Sequence, residues 1–352
     1  MPLTDSWVTE ALTLLRQAGL GSLAGCLQAD SFADPAGAFL NTLRDRKIDS
    51  LAYLAGMDPW QRQNLYDRIF TVQRMAAGQL STELAAKGAD PLVFKGLEIA
   101  QRFFAGRGIG MMTDVDVLIR RDQVALARTV VYDLGYRQAS ITRETGELAE
   151  LDPIDVAQVE ASHYELVPYI KAVPLELSGD ELAFVGRLTK APLWSDGDTA
   201  VMFIELDVHH RVALDIPSTG LFERAIPGAI DGARTLSDAD HLWLLTSRYY
   251  TEVALHGKRS LRDFAYVAAL LARGRVDWDV LLGVAKEYEL TASLFYYLSF
   301  LDVLLESVVP EEVLAELKPT SASGRDWGWQ LGPLFDFIDD LPAILPARCA
   351  ES

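Results

Sequence analysis

The stretch PLVFKGLEIAQRFFAGRGIGMMTDVDVLIR, residues 91–120, decides the fold that we predict for this chain. It predicts a strand, a turn at Lys95-Gly96, a helix, a glycine-rich loop and a second strand that carries Asp114 and Asp116. Side chains two residues apart on a strand point to the same face, so both carboxylates should converge there. Two carboxylates on one rigid strand provide hard oxygen ligands, which suit Mg²⁺.

The turn at Lys95-Gly96 follows a short apolar run and precedes a predicted helix from Leu97 to Phe104. It therefore places backbone N–H groups at a helix N-terminus, where a phosphate group is stabilised. A phosphate-binding turn followed by a strand with two carboxylates is the arrangement that phosphoryl or nucleotidyl transfer requires. The alternative is a buried strand whose two aspartates are solvated or cap a helix.

A two-metal transfer site also needs a third carboxylate, which must come from a neighbouring strand. The segment AVMFIELDVHHRV, residues 200–212, alternates as a strand does and carries Glu205, Asp207 and His209 on one face. Either carboxylate can supply the third ligand. His209 is expected to orient an acceptor or a carboxylate, or to act as a base. The alternative for His209 is a partly buried histidine bonded to Asp207.

The ordered set of Lys95-Gly96, a helix with an aromatic end, and Asp-x-Asp followed by Val-Leu-Ile resembles the DNA-polymerase-β-like nucleotidyltransferase superfamily. More narrowly, it resembles the bacterial branch described only as uncharacterised nucleotidyltransferases, in which Lys-Gly replaces the Gly-Ser of better-known members. The resemblance implies an α+β fold. This fold is a polymerase-β-like nucleotidyltransferase core with a small mixed sheet, flanked by N- and C-terminal helical regions.

The same resemblance assigns roles to the acidic residues. It implies that Asp114, Asp116 and Asp207 hold two Mg²⁺ ions around an NTP, and that Glu205 is the reserve for the third position. The Lys95-Gly96 turn would hold the phosphates through its ammonium group and the backbone N–H of the glycine.

A second resemblance lies in LHGKRSLRDFAY, residues 255–266, where family members carry a histidine, a basic pair and Leu-Arg-Asp in a helix. It implies that Arg259 and Arg262 neutralise the β- and γ-phosphates. Helical spacing predicts that His256 and Asp263 share part of the same face with them. The alternative is a solvated helix face with an ion pair between Arg259 and Asp263.

The chain departs from its relatives at one position before the acidic strand. Relatives usually carry an arginine four residues before the first aspartate, where this chain has Gly110. Arg107 or Arg102 is predicted to substitute, or the phosphate contact is missing. A missing contact would fit a non-catalytic nucleotide-binding module on the same fold.

Four regions are expected along the chain. They are an N-terminal helical region at 1–90, the nucleotidyltransferase core at 91–235, a C-terminal helical domain at 236–318 and a tail at 319–352. Within the core, the polar stretch 137–159 is interpreted as an excursion or a flap over the site. Residues 163–170 are predicted to form a strand on which His163 and Glu165 share one face and His163 has a structural role. Asp122 is predicted to cap a helix.

Composition limits the possible partners of this 352-residue chain, whose formal net charge is −18. Such a charge repels nucleic-acid backbones, and no run of lysine or arginine would build a local basic patch. Cys26 and Cys349 provide neither a disulfide framework nor zinc-ligand spacing. The N-terminal sequence lacks the features of a signal peptide, and no apolar run approaches the roughly 20 residues of a membrane span. A cytoplasmic enzyme is expected.

These observations predict a Mg²⁺-dependent nucleotidyltransferase. It would move an NMP from an NTP, with ATP among the expected donors, onto a hydroxyl or similar group of a small molecule or peptide, and release pyrophosphate. The alternatives are the non-catalytic nucleotide-binding module, toxin-like nucleotidyl transfer to RNA or protein, and an α/β scaffold that binds no nucleotide.

Overall fold

The structure, a computed structural model, describes residues 6–24, 26, 38–57, 60–142, 144–185, 192–213, 216–258 and 260–332. The predicted phosphate-binding residue Arg259 lies outside these residues. No helix in the described part of the chain is both long and apolar enough to cross a membrane. The cytoplasmic location stays a prediction.

Helices precede and follow a central segment that contains all the described strands. The chain starts with α1 (Ser6–Leu20), α2 (Ala38–Asp45), α3 (Asp49–Leu54) and the long helix α4 (Trp60–Ala86). The central segment contains β1 (Leu92–Val93), α5 (Gly96–Phe103), β2 (Asp114–Leu118), α6 (Val124–Asp133), β3 (Arg137–Thr142), β4 (Glu147–Glu150), α7 (Pro153–Ser162), β5 (Tyr169–Pro174), α8 (Gly179–Val185), β6 (Leu193–Ser195), β7 (Ala200–His209), α9 (Thr219–Arg224), β8 (Ile226–Pro227) and β9 (Arg234–Thr235). The final helices are α10 (Asp238–His256), α11 (Arg262–Arg273), α12 (Trp278–Glu287), α13 (Thr291–Leu305), α14 (Glu311–Leu317) and α15 (Trp327–Leu331).

The chain folds into two compact units that do not follow the predicted order of regions. The described residues within 1–60 and 238–352 form a helical unit from the two ends of the sequence, and those within 61–237 form the second unit. Helix α4, which the sequence analysis grouped with the N-terminal helices, therefore belongs almost entirely to the unit that contains the sheet. Helix α15, in the predicted tail, packs on α13 in the helical unit.

The second unit is built on a mixed sheet with nine described strands. Eight of them follow the order β4-β3-β5-β7-β2-β1-β9-β8, and β6 also pairs with β7. Strands β2 and β7 are parallel, whereas β7 is antiparallel to β5. This mixed sheet with surrounding helices confirms the predicted α+β fold class.

The alternation of acidic and apolar side chains along β2 and β7 decides which face of the sheet is buried. Val115 and Val117 on β2, and Leu206 and Val208 on β7, are almost inaccessible to solvent. They belong to a hydrophobic core that includes residues of α4, α5 and α6. Because successive strand side chains point to opposite faces, this apolar face anchors both strands and leaves their acidic residues on the other face.

Three local predictions are wrong. The stretch 137–159 forms the β3–β4 hairpin and most of α7, rather than a patternless flap, and Asp152 caps α7 by accepting from the backbone N–H of Ile154 at 2.7 Å. Regular strand pairing begins at Tyr169, so most of 163–170 is not a strand. Gln123, not Asp122, is the N-cap residue of α6, and its side chain makes no capping hydrogen bond.

Candidate active site

The parallel pairing of β2 with β7 brings the predicted acidic residues side by side. Asp114 is the register partner of Glu205, and Asp116 is the register partner of Asp207. His209 lies one pleat further along the same face of β7, two residues beyond Asp207. Five polar side chains from two strands therefore share one face of the sheet.

Three of these side chains form a compact group of possible metal ligands. One ligand atom each from Asp116, Asp207 and His209 lies within 4.8 Å of the other two. The Oδ1 atom of Asp207 is buried, and no described residue donates a hydrogen bond to it. A buried carboxylate oxygen without a partner carries a considerable free-energy cost, so this group is costly for the fold as it stands.

The charges of the acidic residues are poorly compensated. Burial, together with the nearby Asp114 and Asp116, raises the pKa of Glu205 to about 7. Burial is also the largest cause of the raised pKa of Asp207, and the neighbouring carboxylates add to it. Both shifts have the same physical origin, because negative charge is gathered where water cannot screen it.

Lys95 supplies the positive charge nearest to this group. Its ammonium donates a hydrogen bond to Oδ1 of Asp116, and the residue directly precedes helix α5. Its backbone has φ 59° and ψ −137°, a region that residues other than glycine rarely adopt. The following Gly96 is the first residue of α5, whose first N–H groups have no partner within the helix. A strained turn thus holds an ammonium group and a helix N-terminus beside the carboxylates.

His209 connects the acidic group to a residue outside the two strands. Its Nε2 lies 3.1 Å from Oδ1 of Asp116, and its Nδ1 lies 3.3 Å from Oε2 of Glu165. The ring packs edge-on against Phe94 and stacks on Tyr164. Burial and the nearby Lys95 lower the pKa of His209, although both carboxylates oppose that shift. The imidazole therefore lies between two carboxylates, with a hydrogen bond to Asp116 and a close approach to Glu165 that does not have hydrogen-bond geometry.

The donor set fits a divalent cation. Carboxylate oxygens are the ligands that Mg²⁺ prefers, and an imidazole nitrogen widens the choice to ions such as Mn²⁺ and Zn²⁺. The unpartnered Oδ1 of Asp207 and the raised pKa of both Glu205 and Asp207 are what a site short of positive charge should show. A cation bound here would give the Oδ1 atom of Asp207 a partner and would offset the repulsion between the carboxylates.

Comparison with known proteins agrees with this geometry. The model of a family described as "Uncharacterised nucleotidyltransferase" matches residues 61–319, well over half of the chain. The chain belongs to this family. No curated protein and no solved structure matches it significantly. The family match confirms the resemblance inferred from the Lys95-Gly96 turn and the Asp-x-Asp strand.

In this nucleotidyltransferase the structure does not bring every predicted residue to the site. Asp114 lies on the polar face but outside the compact group of Asp116, Asp207 and His209. The Nε atom of Arg107, a predicted substitute for the missing arginine, instead lies 2.6 Å from Oδ2 of Asp67 on α4.

The prediction that the basic residues near residue 260 share one face of a single helix is wrong. His256 is the last residue of α10 and Arg262 is the first residue of α11, and residues 257, 258 and 260 between them are not helical. Arg262 belongs to the helical unit, and its guanidinium lies 6.0 Å from the centre of the Tyr266 ring. Its role in phosphate binding stays a prediction.

The sequence analysis missed the contact between Glu165 and His209. Glu165 was placed beside His163 on one face of a predicted strand, whereas it lies against the imidazole that reaches Asp116. The segment 163–168 brings it there through one isolated bridge between Glu165 and His209 and through a hydrogen bond from Leu166 N to Val208 O. No local pattern in the sequence signals a contact between residues so far apart.

Proposed function

We propose that this nucleotidyltransferase moves the nucleoside monophosphate of an NTP onto a hydroxyl group of a small molecule and releases pyrophosphate. The observation that carries the proposal is the pairing of Asp116 with Asp207 across two parallel strands, beside the ammonium of Lys95. Family membership supports the reaction class. The donor, the acceptor and the metal are the proposed details.

The proposed cofactor is Mg²⁺, with two ions held by Asp114, Asp116 and Asp207, and with Glu205 in reserve. When bound, the ions would supply Lewis-acid stabilisation of the charge that develops on the attacking oxygen and on the leaving pyrophosphate. Lys95 and the backbone N–H of Gly96 would bind the phosphates of the NTP. Because Lys95 contacts Asp116 in the structure, binding of metal and NTP would free its ammonium for the triphosphate.

The chemical step is an in-line displacement at the α-phosphorus. The hydroxyl oxygen of the acceptor forms a bond to that phosphorus, and the bond from the phosphorus to the α–β bridging oxygen breaks. Pyrophosphate leaves with the electron pair of the broken bond, and the hydroxyl proton passes to a base. No net oxidation or reduction occurs.

His209 is better suited to position Asp116 than to act as this base. It is only 2% exposed, and its two nitrogens face Asp116 and Glu165. A buried imidazole that contacts a candidate ligand resembles the outer-shell groups that orient metal ligands in other proteins. We therefore propose His209 as a positioning residue.

Transfer to RNA is the second candidate in this reaction class, as in toxin-like relatives of the superfamily. The net charge of −18 opposes it, because phosphate backbones are bound through positive charge. A gel-shift measurement at two salt concentrations would test it. RNA that binds tightly at low salt and weakly at high salt would favour transfer to RNA over the small-molecule acceptor.

The proposal is tested by thermal unfolding of the full chain with each of the four NTPs, with and without Mg²⁺. A ligand that binds only the folded state raises its stability by about 2.7 kcal/mol at 100-fold excess over Kd. We expect a Mg²⁺-dependent rise for at least one NTP in the wild type and no rise in Asp114→Ala/Asp116→Ala. The absence of any rise in the wild type would contradict nucleotide binding.

Turnover is tested separately by pyrophosphate release with a panel of hydroxyl-bearing acceptors. Release that depends on Mg²⁺ and on one class of acceptor supports transfer. A Mg²⁺–NTP complex that binds without release of pyrophosphate to any acceptor would favour the non-catalytic binding module. Asp122→Asn serves as the control for protein preparation, because Asp122 is exposed and is not one of the proposed site residues.

A further inference from the structure

A cavity of about 430 Å³ lies between α7 and the segment that follows it. We call it the α7 pocket. It is lined mainly by the apolar side chains of Leu151, Val156, Val159, Leu166, Val167 and Pro168. Small-molecule sites are typically concave, mostly apolar and of this size, with few polar groups.

The wall formed by α7 is fixed by the carboxylate of Glu160, whose side chain is only 9% exposed. Glu160 accepts hydrogen bonds from Arg128 Nη2 at 2.6 Å, from Gln138 Nε2 at 2.7 Å and from the backbone N–H of Val167 at 3.0 Å. These bonds join the C-terminal half of α7 to α6, to β3 and to the segment opposite. The pocket is therefore preformed, which lowers the entropic cost of binding.

The apolar side chains around α7 are only partly covered by the fold. Leu151 is 36% exposed and Val159 is 51% exposed. Both line the pocket, whereas Ile154, which is 68% exposed, does not line it. At 100° per residue, Ile154 points away from the side of α7 that carries Val159. An apolar ligand in the pocket would cover side chains that the fold itself leaves in water.

The pocket ends close to the candidate metal ligands. Glu165 lines the pocket, and its Oε2 lies 3.3 Å from His209 Nδ1, while Nε2 of the same ring lies 3.1 Å from Asp116. One imidazole ring therefore separates a carboxylate in the pocket from the acidic group on the sheet. A molecule seated in the pocket with its polar end at Glu165 would lie one imidazole ring away from the acidic group of the proposed transfer site.

Charge limits what this molecule can be. The polar residues that line the pocket are Asp155, His163 and Glu165, and none of the described lining residues is a lysine or an arginine. An anionic ligand would meet two carboxylates, and the imidazole among the described lining residues, His163, already lies 3.5 Å from one of them, Glu165. A hydroxyl or an ammonium could donate a hydrogen bond to Glu165.

We propose that the α7 pocket binds the nucleotidyl acceptor, a small neutral or cationic molecule with an apolar body and a hydroxyl group. The apolar body packs between Val159 and Leu166. Glu165, which lines the pocket, accepts the hydrogen bond of the hydroxyl. This assignment rests on the proposed function, but binding in the pocket can be measured without NTP or turnover.

The test uses four probes that share one apolar ring: benzyl alcohol, benzylamine, toluene and benzoate. Binding to the full chain is measured by saturation-transfer NMR. We expect benzyl alcohol and benzylamine to bind at least several-fold more tightly than benzoate. Benzoate binding as tightly as benzyl alcohol would overturn the proposal, because the charge argument requires exclusion of the anion.

Two tryptophan variants locate the binding. Val159→Trp places a large ring in the pocket, and Ile154→Trp places the same ring on the other side of α7. Val159→Trp should weaken benzyl alcohol binding at least tenfold, and Ile154→Trp should leave it unchanged. Equal loss in both variants would overturn the proposal, since the probe would then bind to exposed apolar surface and not in the pocket.

The role of Glu165 is tested with Glu165→Gln and Glu165→Leu. Loss of the charge in Glu165→Gln should weaken benzylamine several-fold and leave toluene unchanged, and Glu165→Leu should remove the advantage of benzyl alcohol over toluene. An unchanged probe order in both variants would overturn the assignment of Glu165. Failure of this proposal can be distinguished from failure of the proposed function. If the wild type shows no thermal response to Mg²⁺–NTP, the probes should still bind in the pocket.

Discussion

Two aspartates with buried carboxylate oxygens have opposite surroundings in this protein. Asp326, in the helical unit, accepts hydrogen bonds from the backbone N–H groups of Ala292 at 2.7 Å, Ser293 at 3.0 Å and Gly328 at 2.9 Å, and from the Ser293 hydroxyl. Asp207, on the sheet, has a buried Oδ1 to which no described residue donates, and neighbouring carboxylates raise its pKa further.

The difference separates a carboxylate that stabilises the fold from one that the fold holds at a cost. The single side chain of Asp326 caps the N-termini of α13 and α15, where helix dipoles favour negative charge. The approach is so close that a Cβ on Gly328 would lie 2.2 Å from the backbone N of Ser293. The free energy that Asp207 costs is understandable if a ligand supplies the missing positive charge.

The largest expected effect is on activity when the acidic pair is neutralised. Asp116→Asn and Asp207→Asn should each lower the rate of pyrophosphate release roughly 10³-fold, equivalent to about 4 kcal/mol, because the amide cannot replace a charged metal ligand. The rate is measured with saturating NTP and Mg²⁺, and folding is checked by circular dichroism. Asp122→Asn, at an exposed position, should keep the wild-type rate. A folded Asp207→Asn protein with more than a tenth of the wild-type rate would remove Asp207 from the site.

The second largest effect is expected on the stability of the fold when Asp326 is replaced. Asp326→Ala should lower the free energy of unfolding by roughly 3 kcal/mol, because it leaves several buried donors without an acceptor. Chemical denaturation provides the measurement. Asp277 is the matched control, since it is exposed and caps α12 through one hydrogen bond of 3.1 Å from Val280 N. Its alanine variant should lose only about 1 kcal/mol. Equal losses of stability in the two alanine variants would mean that the additional hydrogen bonds of Asp326 do not stabilise the fold.

Neutralising a carboxylate on the sheet should instead raise the free energy of unfolding. Because the pKa of Glu205 is raised from 4.5 to about 7, its ionised form is disfavoured in the folded state. Wild-type stability should therefore fall as pH rises from about 4.5 through 7, and Glu205→Gln should remove that loss. Discounted for partial exposure, the gain of the metal-free variant at pH 8 should be roughly 1 kcal/mol.

Denaturation at pH 5 and pH 8 without metal measures this gain. The gain should shrink toward pH 5, where the wild-type carboxyl is already protonated. Glu83→Gln, at an exposed position of α4, should change stability little at either pH. A Glu205→Gln protein that is less stable than the wild type at pH 8 would show that the carboxylates are compensated in solution.

The sequence predicted the acidic face well because its signal is local. Alternation along 200–212 and the spacing of Asp114 and Asp116 determine which side chains share a face, and the mixed α+β fold and the family are confirmed. The register that pairs Asp116 with Asp207 was beyond prediction, since it depends on contacts between residues 91 positions apart, 207 − 116 = 91. The assignments of the individual site residues stay predictions.

Prediction from the sequence failed for helix α7, which is stabilised by tertiary contacts rather than marked by a periodic apolar pattern. Helix α7 buries only Val156, so it lacks the apolar stripe by which helices are found. Its Asp152-Pro153 start, a capping residue followed by proline, was the available signal. Much of α7 is held by Glu160 through bonds to α6 and β3, which no local pattern reveals.

The smallest effect concerns the backbone of Lys95, whose φ of 59° and ψ of −137° disfavour any residue with a Cβ. Lys95→Ala and Lys95→Gly both remove the ammonium from Asp116, so their difference in stability reports the backbone alone. Relief of strain should exceed the entropic cost of glycine, and the glycine variant should be more stable by about 1 kcal/mol. Thermal or chemical denaturation of the metal-free proteins gives this difference.

Lys47 in the helical unit offers the matched control, because its φ is 62°. The same alanine and glycine pair at residue 47 should differ in the same direction, while nucleotidyl transfer stays at the wild-type rate. At residue 95 both variants should lose activity, because neither can bind phosphate through an ammonium. If Lys95→Gly gained stability and kept full activity, the strained turn would serve the backbone N–H of Gly96 alone, and the ammonium would have no part in binding the triphosphate.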